Sequence, residues 1–342
     1  MKRKQKSGSP PTQQTISDAI NLAVGVRLAE TAQIPVTVTA LRTEDMELAS
    51  NLGFQFLILD MDLTDQAAGD AWANMADTCP ASLTLYVKVR IPQNIPPAWL
   101  PDDRLTPLAR SFSHRDLHWI LDPPHKTSPP FFSEMLAERL RRITPSSRVG
   151  LWFPCSVFVP DDPESPWDTR AARNAAAKQL AWVPDPELFD FLVLVWQGVV
   201  IMRFSPFRPF ARWQRLRQVH PPDPADTAFF TEAVSMTAAL RRPMLVVDSS
   251  SGPLRSISLQ ATGHCASLGT FFGETADTTS LLGYCWSPFL APVNETHSAN
   301  GRTGLVMLDP KDGSRTPHPE TFRWTATCRQ AFREARMKGT AS

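Results

Sequence analysis

Short apolar runs alternate along the chain with segments that have the period of an amphipathic helix. Nearly continuous apolar strands that alternate with helices are what a parallel sheet covered on both faces requires. Val199–Met202 is a further apolar run that either extends the sixth predicted strand or begins a short insertion. Eight strands are predicted, at Ile34–Ala40, Phe54–Asp60, Leu83–Arg90, Leu117–Leu121, Val149–Phe153, Phe191–Trp196, Met244–Val247 and Leu282–Trp286.

The segments between these runs carry helical signals. Thr43 to Gly53 begins with acidic residues and ends at a glycine, and Ser133 to Ile143 places its apolar side chains on one stripe. Ala171 to Leu180 is rich in alanine, and Thr231 to Leu240 leads into the seventh strand. Eight strands that alternate with helices predict an α/β fold, a (β/α)8 TIM barrel, as a single domain over residues 19–338.

Prolines cluster after the predicted strands. The chain has 32 of them, and runs such as Pro92–Pro97, Pro154–Pro166 and Pro206–Pro224 follow strand ends. In a barrel, the loops after the strands build the functional face, so long Pro-rich loops are expected there. Pro-rich linkers between domains are the competing interpretation, and no shift in composition favours it.

Composition and charge argue against several classes of binding partner and against a metal or disulfide chemistry. The 342-residue chain has a formal net charge of +1, so no overall field attracts nucleic acid or an anionic membrane. Its five cysteines are scattered without a CxxC pair, which predicts buried thiols and neither a metal site nor a disulfide framework. No cofactor is predicted. Residues 1–18 are expected to form a disordered leader without a signal peptide, so a cytoplasmic location is expected, and no apolar run is long enough for a membrane span.

Four segments, in order along the chain, resemble the clan A glycoside hydrolases, a superfamily of retaining glycosidases. Glu44 to Asp60 is similar to the acidic, Leu-rich first helix, Leu-Gly and second strand. His118-Trp-Ile-Leu-Asp-Pro123 is similar to the Trp and Asn-Glu-Pro of the fourth strand, and Thr144-Pro-Ser-Ser-Arg-Val149 to the turn before the fifth. The superfamily's seventh strand carries Lys-Pro and then Thr-Glu, and it is similar to Arg242-Pro-Met-Leu-Val-Val-Asp248. The end of the superfamily's barrel is similar to Leu282 to Pro319.

This resemblance implies a carbohydrate site with two carboxyl groups. Asp122 stands at the position of the general acid/base and Asp248 at that of the nucleophile, where the superfamily has Glu. Retaining hydrolysis of an O-glycoside needs the two carboxyls about 5–5.5 Å apart. Leu121 stands where the superfamily has the Asn that binds the sugar 2-hydroxyl. The Asp residues in place of Glu and the loss of this Asn both favour impaired hydrolysis. The chain is therefore expected to be a divergent glycosidase that recognises a carbohydrate, or an inactive relative that acts as a glycan-binding or protein-interaction module.

Further residues are expected to line the carbohydrate site. The Trp286 ring matches the superfamily's sugar platform, and Asp60 is expected to be a pocket carboxylate or the acceptor of a buried Arg such as Arg90. The full set of expected substrate-binding residues is Trp286, Trp119, Trp196, Gln197, Asp60 and Arg90.

Each of these residues also has a structural interpretation. Asp122 before Pro123 is typical of a turn, Asp248 before a Ser-rich run is typical of a helix cap or Asx-turn, and tryptophans commonly pack in cores. Arginines alternate with aromatic residues between Arg203 and Arg217, as in proteins that bind single-stranded nucleic acid or anionic glycans. An amphipathic arm packed on the barrel has the same pattern, and we favour it, so a nucleic-acid partner is not expected. The oligomeric state is not predicted.

Overall fold

A computed structural model gives the fold, and it describes residues 22–28, 43–62, 79–90, 106, 117–122, 130–181, 185–204, 213–219, 224–249, 254–274, 280–292, 304–309 and 312–339. The predicted leader, residues 1–18, lies outside the described residues, and the single domain over 19–338 stays a prediction. The described strands are β1 (Val24–Leu28), β2 (Phe56–Asp62), β3 (Thr84–Arg90), β4 (Leu117–Asp122), β5 (Val149–Pro160), β6 (Phe191–Phe204), β7 (Trp213–Val219), β8 (Met244–Asp248), β9 (Leu281–Trp286), β10 (Leu290–Pro292), β11 (Val306–Leu308) and β12 (Arg315–Pro317).

Eight parallel strands close into a barrel. They follow the order β1, β2, β3, β4, β5, β6, β8 and β9, and β9 pairs with β1 to complete the ring. β7 lies outside the ring and pairs antiparallel with the distal half of β6, and β10, β11 and β12 form a separate small sheet. The predicted (β/α)8 TIM barrel is confirmed.

The prediction of the first strand was wrong. The strand between β2 and β9 is Val24–Leu28, whereas Ile34–Ala40 lies outside the described residues. Val24–Leu28 contains Gly25 and Arg27, which weaken the strand pattern in the sequence. The other seven predicted strands overlap observed ones, and Val199–Met202 extends the sixth strand, as one of the two interpretations had it.

Helices cover the outside of the ring. The described helices are α1 (Thr43–Asn51), α2 (Pro130–Ile143), α3 (Pro166–Leu180), α4 (Pro224–Ala238), α5 (Leu254–Glu274) and α6 (Thr321–Gly339). Alternate strand residues point outward, and they pack with the helices into one large core that also contains the buried tryptophans 119, 196, 286 and 324. The cysteines are all buried and free. None of the helices in the described part of the chain has the length and apolar character needed to cross a membrane.

The inward side chains form a second, smaller core that fills the lower part of the ring. Phe56, Tyr86 and Phe191 pack edge to face at the N-terminal ends of the strands. Gly25 and Gly150 make room for them, because a Cβ at either position would lie within 2.3 Å of a phenylalanine ring. The barrel is therefore closed by aromatic rings at this end, and polar side chains gather at the other end.

Candidate functional site

Charged side chains from four consecutive strands meet inside the barrel near the C-terminal ends of the strands. Arg27 of β1, Asp60 of β2, Lys88 of β3 and Asp122 of β4 form this mouth cluster. Arg27 donates to both Asp60 oxygens, with Nε 2.8 Å from Oδ1. Lys88 Nζ lies 3.3 Å from Asp60 Oδ2 and 2.8 Å from Asp122 Oδ2. The four charges alternate in sign around half of the ring.

The Trp152 ring lies against both cations. Trp152 faces inward from β5, at 6% exposure, and its ring centroid is 4.4 Å from Lys88 Nζ and 4.9 Å from Arg27 Cζ. Both contacts are within the range of a cation–π interaction. The indole therefore helps to hold the two cations beside the carboxylates.

Burial and charge act in opposite directions on Arg27 and Asp60. Burial alone would lower the pKa of Arg27, but the charge and hydrogen bonds of Asp60 outweigh it and raise that pKa. Burial would likewise raise the pKa of Asp60, but the charges and hydrogen bonds of Arg27 and Lys88 hold it below its ordinary value. Asp60 is thus a fixed anion whose oxygens are occupied by protein donors.

Asp122 of β4 is the last member of the mouth cluster. Its carboxylate is 13% exposed, and among the described residues its partner is Lys88 alone, through Oδ2. The second oxygen, Oδ1, has no partner in the described part of the chain. Because the Lys88 ammonium holds Oδ2, the Oδ1 atom is the acceptor of this carboxylate that the described residues leave unused.

Asp248 belongs to a different cluster, on the outer face of the barrel wall. Its Oδ2 lies 2.7 Å from His264 Nδ1 of α5 and 2.8 Å from the Tyr284 hydroxyl of β9, which donates to it. These three residues form the wall cluster, and all are 0% exposed. The Phe230 ring of α4 stacks on His264 at a centroid distance of 3.9 Å. Burial, and then the Asp248 charge, raise the pKa of Tyr284 well above its ordinary value, so the tyrosine stays a proton donor in its hydrogen bond.

Strand alternation explains why Asp248 points outward. Asp248 pairs in register with Trp196 on one side and Trp286 on the other, and both tryptophans are part of the outer core. The preceding residue, Val247, belongs to the inner core. Successive residues of a strand point to opposite faces, so the last residue of β8 falls on the helix side.

The structure brings two of the expected site residues together, Asp122 and Asp60, through Lys88. It does not bring Asp122 and Asp248 together, because they lie on opposite faces of the wall. Trp119 is fully buried in the outer core, where its Nε1 donates to Thr144, and Trp196 and Trp286 are fully buried there too.

Gln197 and Arg90 complete the expected set. Gln197 follows Trp196 on β6 and is partly exposed. Arg90 ends β3 with its backbone in register with Asp122, and its side chain lies outside the described residues.

Several residues of both clusters could not be recognised, or were not expected, from the sequence. Arg27 was missed because the first strand was placed too late in the chain. Lys88 had a signal, since Tyr86-Val-Lys-Val-Arg90 alternates polar and apolar residues and places Lys88 on the face opposite Val87 and Val89. His264 had none, because its partner Asp248 is 16 residues away and belongs to another element. No group of His, Cys, Asp and Glu that could hold a metal is present among the described residues.

No protein-family model matches the chain, and no curated protein matches it. Solved structures match the chain in fold. The chain is similar to a beta-glucosidase from Thermotoga maritima in complex with glucoimidazole, at 14% identity and a TM-score of 0.58 over 84% of this chain and 86% of that one. It is similar to the GH1 beta-glucosidase from Exiguobacterium antarcticum B7, at 10% identity and a TM-score of 0.64 over 91% of this chain and 98% of that one. The predicted resemblance to the clan A glycoside hydrolases is therefore confirmed as a shared fold, at the low identity of a divergent chain.

Proposed function

We propose that this protein binds a carbohydrate in the mouth of its barrel and does not hydrolyse it by the two-carboxylate retaining mechanism. The proposal rests on one observation, the different positions of the two candidate carboxylates. Asp122 reaches the mouth with an oxygen that no described residue contacts, whereas the Asp248 carboxylate is hydrogen-bonded to His264 and Tyr284 behind the wall. A nucleophile must contact the anomeric carbon, and Asp248 is 0% exposed.

The mouth cluster supports recognition of a polyhydroxyl ligand. Asp122 would accept a sugar hydroxyl at Oδ1, and Lys88 would orient the carboxylate through Oδ2. A binding pocket typically combines a few well-placed polar groups with apolar walls, and the inward-facing indole of Trp152 is an apolar surface in contact with the cluster. The similarity in fold to beta-glucosidases, one of them in complex with glucoimidazole, makes glucose-type sugars the first ligands to test.

The test combines binding and turnover on the same variants. Binding of methyl β-D-glucopyranoside and cellobiose is measured by calorimetry, and release of nitrophenol from p-nitrophenyl β-D-glucopyranoside by absorbance. We expect sugar binding by the wild type, at least tenfold weaker binding by Asp122→Asn, and no enzymatic release of nitrophenol. Glu187→Gln changes an exposed carboxylate at the opposite end of the barrel and should bind like the wild type.

Two results would overturn the proposal. Nitrophenol release by the wild type that Asp248→Asn abolishes, in a variant that still folds, would restore the retaining mechanism. If the wild type binds neither methyl β-D-glucopyranoside nor cellobiose, glucose-type sugars are not its ligands.

A further inference from the structure

A second feature that could bind a ligand lies on the extension of β5 and β6 beyond the barrel. Trp167, in the first turn of α3, is 55% exposed, which is high for the largest apolar side chain. One side of its indole stacks on Phe204, with ring centroids 5.4 Å apart and an interplanar angle of 22°. More than half of the Trp167 surface is accessible beside this contact. An aromatic ring that is both exposed and fixed by a stacked neighbour is suited to stacking on a flat ligand.

Hydrogen bonds between α3 and the end of β6 fix the position of this ring. The carboxylate of Asp168, which is 5% exposed, accepts hydrogen bonds from the backbone N–H of Phe204, at 2.8 Å, and of Asp162, at 3.3 Å. The Ser165 side chain caps the helix by accepting from Asp168 N. These bonds tie the first turn of α3 to the end of β6, so Trp167 and Phe204 keep their relative position.

A separate small core supports the same region. Ala171 and Ala172 of α3 pack against Val200 and Met202 of β6, apart from the two cores of the barrel. The extension is therefore a packed unit of its own, and the aromatic pair stands on a rigid base. Preorganised aromatic surfaces bind with little loss of conformational entropy.

Side chains around the ring carry both charges. Asp161, Asp162 and Glu164 are exposed in the turn before α3, and Arg203 lies 3.8 Å from Asp161. A groove for single-stranded nucleic acid combines aromatic rings with consistently positive charge. The described side chains here instead offer donors and acceptors of mixed sign beside a flat ring. That combination suits a neutral sugar, whose C–H face stacks on an indole while its hydroxyls bond to neighbouring polar groups.

We propose that Trp167 is a second carbohydrate subsite, which stacks one sugar unit of an elongated glycan whose end lies in the barrel mouth. This inference rests on the proposed function. β5 runs eight residues from Trp152 at the mouth to Pro160, next to the turn that leads to Trp167. At roughly 3.3 Å per residue, the path along the strand is about 26 Å. A ligand that occupies both sites along this path is therefore a chain of several sugar units.

The experiment compares glycans of increasing length on matched variants. Calorimetry with cellobiose, cellotetraose and cellohexaose is carried out on the wild type, Trp167→Ala, Trp167→Phe and Phe322→Ala. Phe322 is a matched control because it is 64% exposed on α6, away from the extension. We expect wild-type affinity to rise with length. Trp167→Ala should bind cellohexaose on the order of tenfold more weakly and cellobiose unchanged, Trp167→Phe should recover most of the loss, and Phe322→Ala should bind like the wild type.

The other outcomes separate the two proposals. If the wild type binds none of the three sugars, the proposed function fails and the subsite fails with it. If the wild type binds them but Trp167→Ala does not alter the dependence on length, the subsite alone is overturned. Salt-sensitive binding of a single-stranded oligothymidylate that Trp167→Ala abolishes would also overturn it, because the ring would then serve a nucleic acid.

Discussion

The mouth cluster and the wall cluster place the same chemical group, an aspartate at the end of a barrel strand, in two different environments. Asp122 faces the interior of the barrel, pairs with Lys88 and keeps partial contact with solvent. Asp248 faces the helices, is fully buried and accepts from a tyrosine and a histidine. The difference comes from strand alternation, since one residue of shift moves a side chain through the wall. A carboxylate at a strand end is therefore not sufficient to predict a catalytic pair.

The largest effect is expected from His264→Ala. The substitution removes a hydrogen-bond partner of a fully buried carboxylate and the ring that stacks on Phe230. Losing one hydrogen bond to a buried carboxylate costs about 1.5 to 3 kcal/mol, and the cavity left by the buried ring adds to this, for a total of about 3 to 5 kcal/mol. We expect a loss of that size in the free energy of unfolding, measured in urea. A loss below about 1 kcal/mol would mean that the wall cluster does not hold α5 on the barrel.

The barrel could be predicted from the sequence, but the side of the barrel wall on which a strand-end side chain lies could not. Apolar strands separated by helices defined seven of the eight strands, because a covered parallel sheet leaves a strong apolar signal. Strands that are apolar on both faces carry no alternation, so nothing in Met244–Val247 shows whether Asp248 points in or out. His264 and Tyr284 identify its face, and they are far from it in sequence. Asp60 was expected to be a pocket carboxylate or the acceptor of a buried arginine such as Arg90. Arg27, on a strand that was misplaced, fills that second role.

Lys88→Met tests the mouth cluster in the same way, and we expect a smaller effect. The variant takes the Lys88 ammonium away from Asp122, but Asp60 keeps Arg27 and both carboxylates are partly exposed. Hydrogen bonds to charged groups contribute about 1.5 to 3 kcal/mol, and the unfolding free energy should fall by that amount. Lys178→Met, an exposed lysine on α3, should stay within about 0.5 kcal/mol of the wild type. Equal stability of the two variants would show that the mouth ion pairs contribute nothing net.

Gly269→Ala disturbs the wall cluster indirectly, through the seating of α5. A Cβ at Gly269 would lie 2.2 Å from the backbone oxygen of Phe332, so α5 and α6 would have to separate. Overpacking costs about 1 to 3 kcal/mol, and the better helix propensity of alanine offsets up to about 1 kcal/mol. We expect a net loss of about 1 to 2 kcal/mol in unfolding free energy, with sugar binding at the mouth retained. Gly273→Ala is the matched control, because its Cβ would be 3.1 Å from the Arg336 oxygen and should cost less.

The last prediction concerns the part of the stability that depends on pH, and it uses Asp60→Asn. The folded pKa of Asp60 is held below its ordinary value of 3.8 by Arg27 and Lys88, against the effect of burial. A lowered folded pKa means that the stabilisation is complete above the ordinary value and is lost as the pH falls through the folded value. Asparagine mimics the protonated side chain. Asp60→Asn should therefore be less stable than the wild type at neutral pH, and this gap should be much smaller at a pH well below 3.8, where the wild-type carboxyl also becomes protonated. Urea unfolding at both pH values measures this gap, and Glu187→Gln, an exposed control, should follow the wild type throughout. A gap that stays constant with pH would mean that Asp60 stabilises the mouth by its shape and packing, and not by its charge.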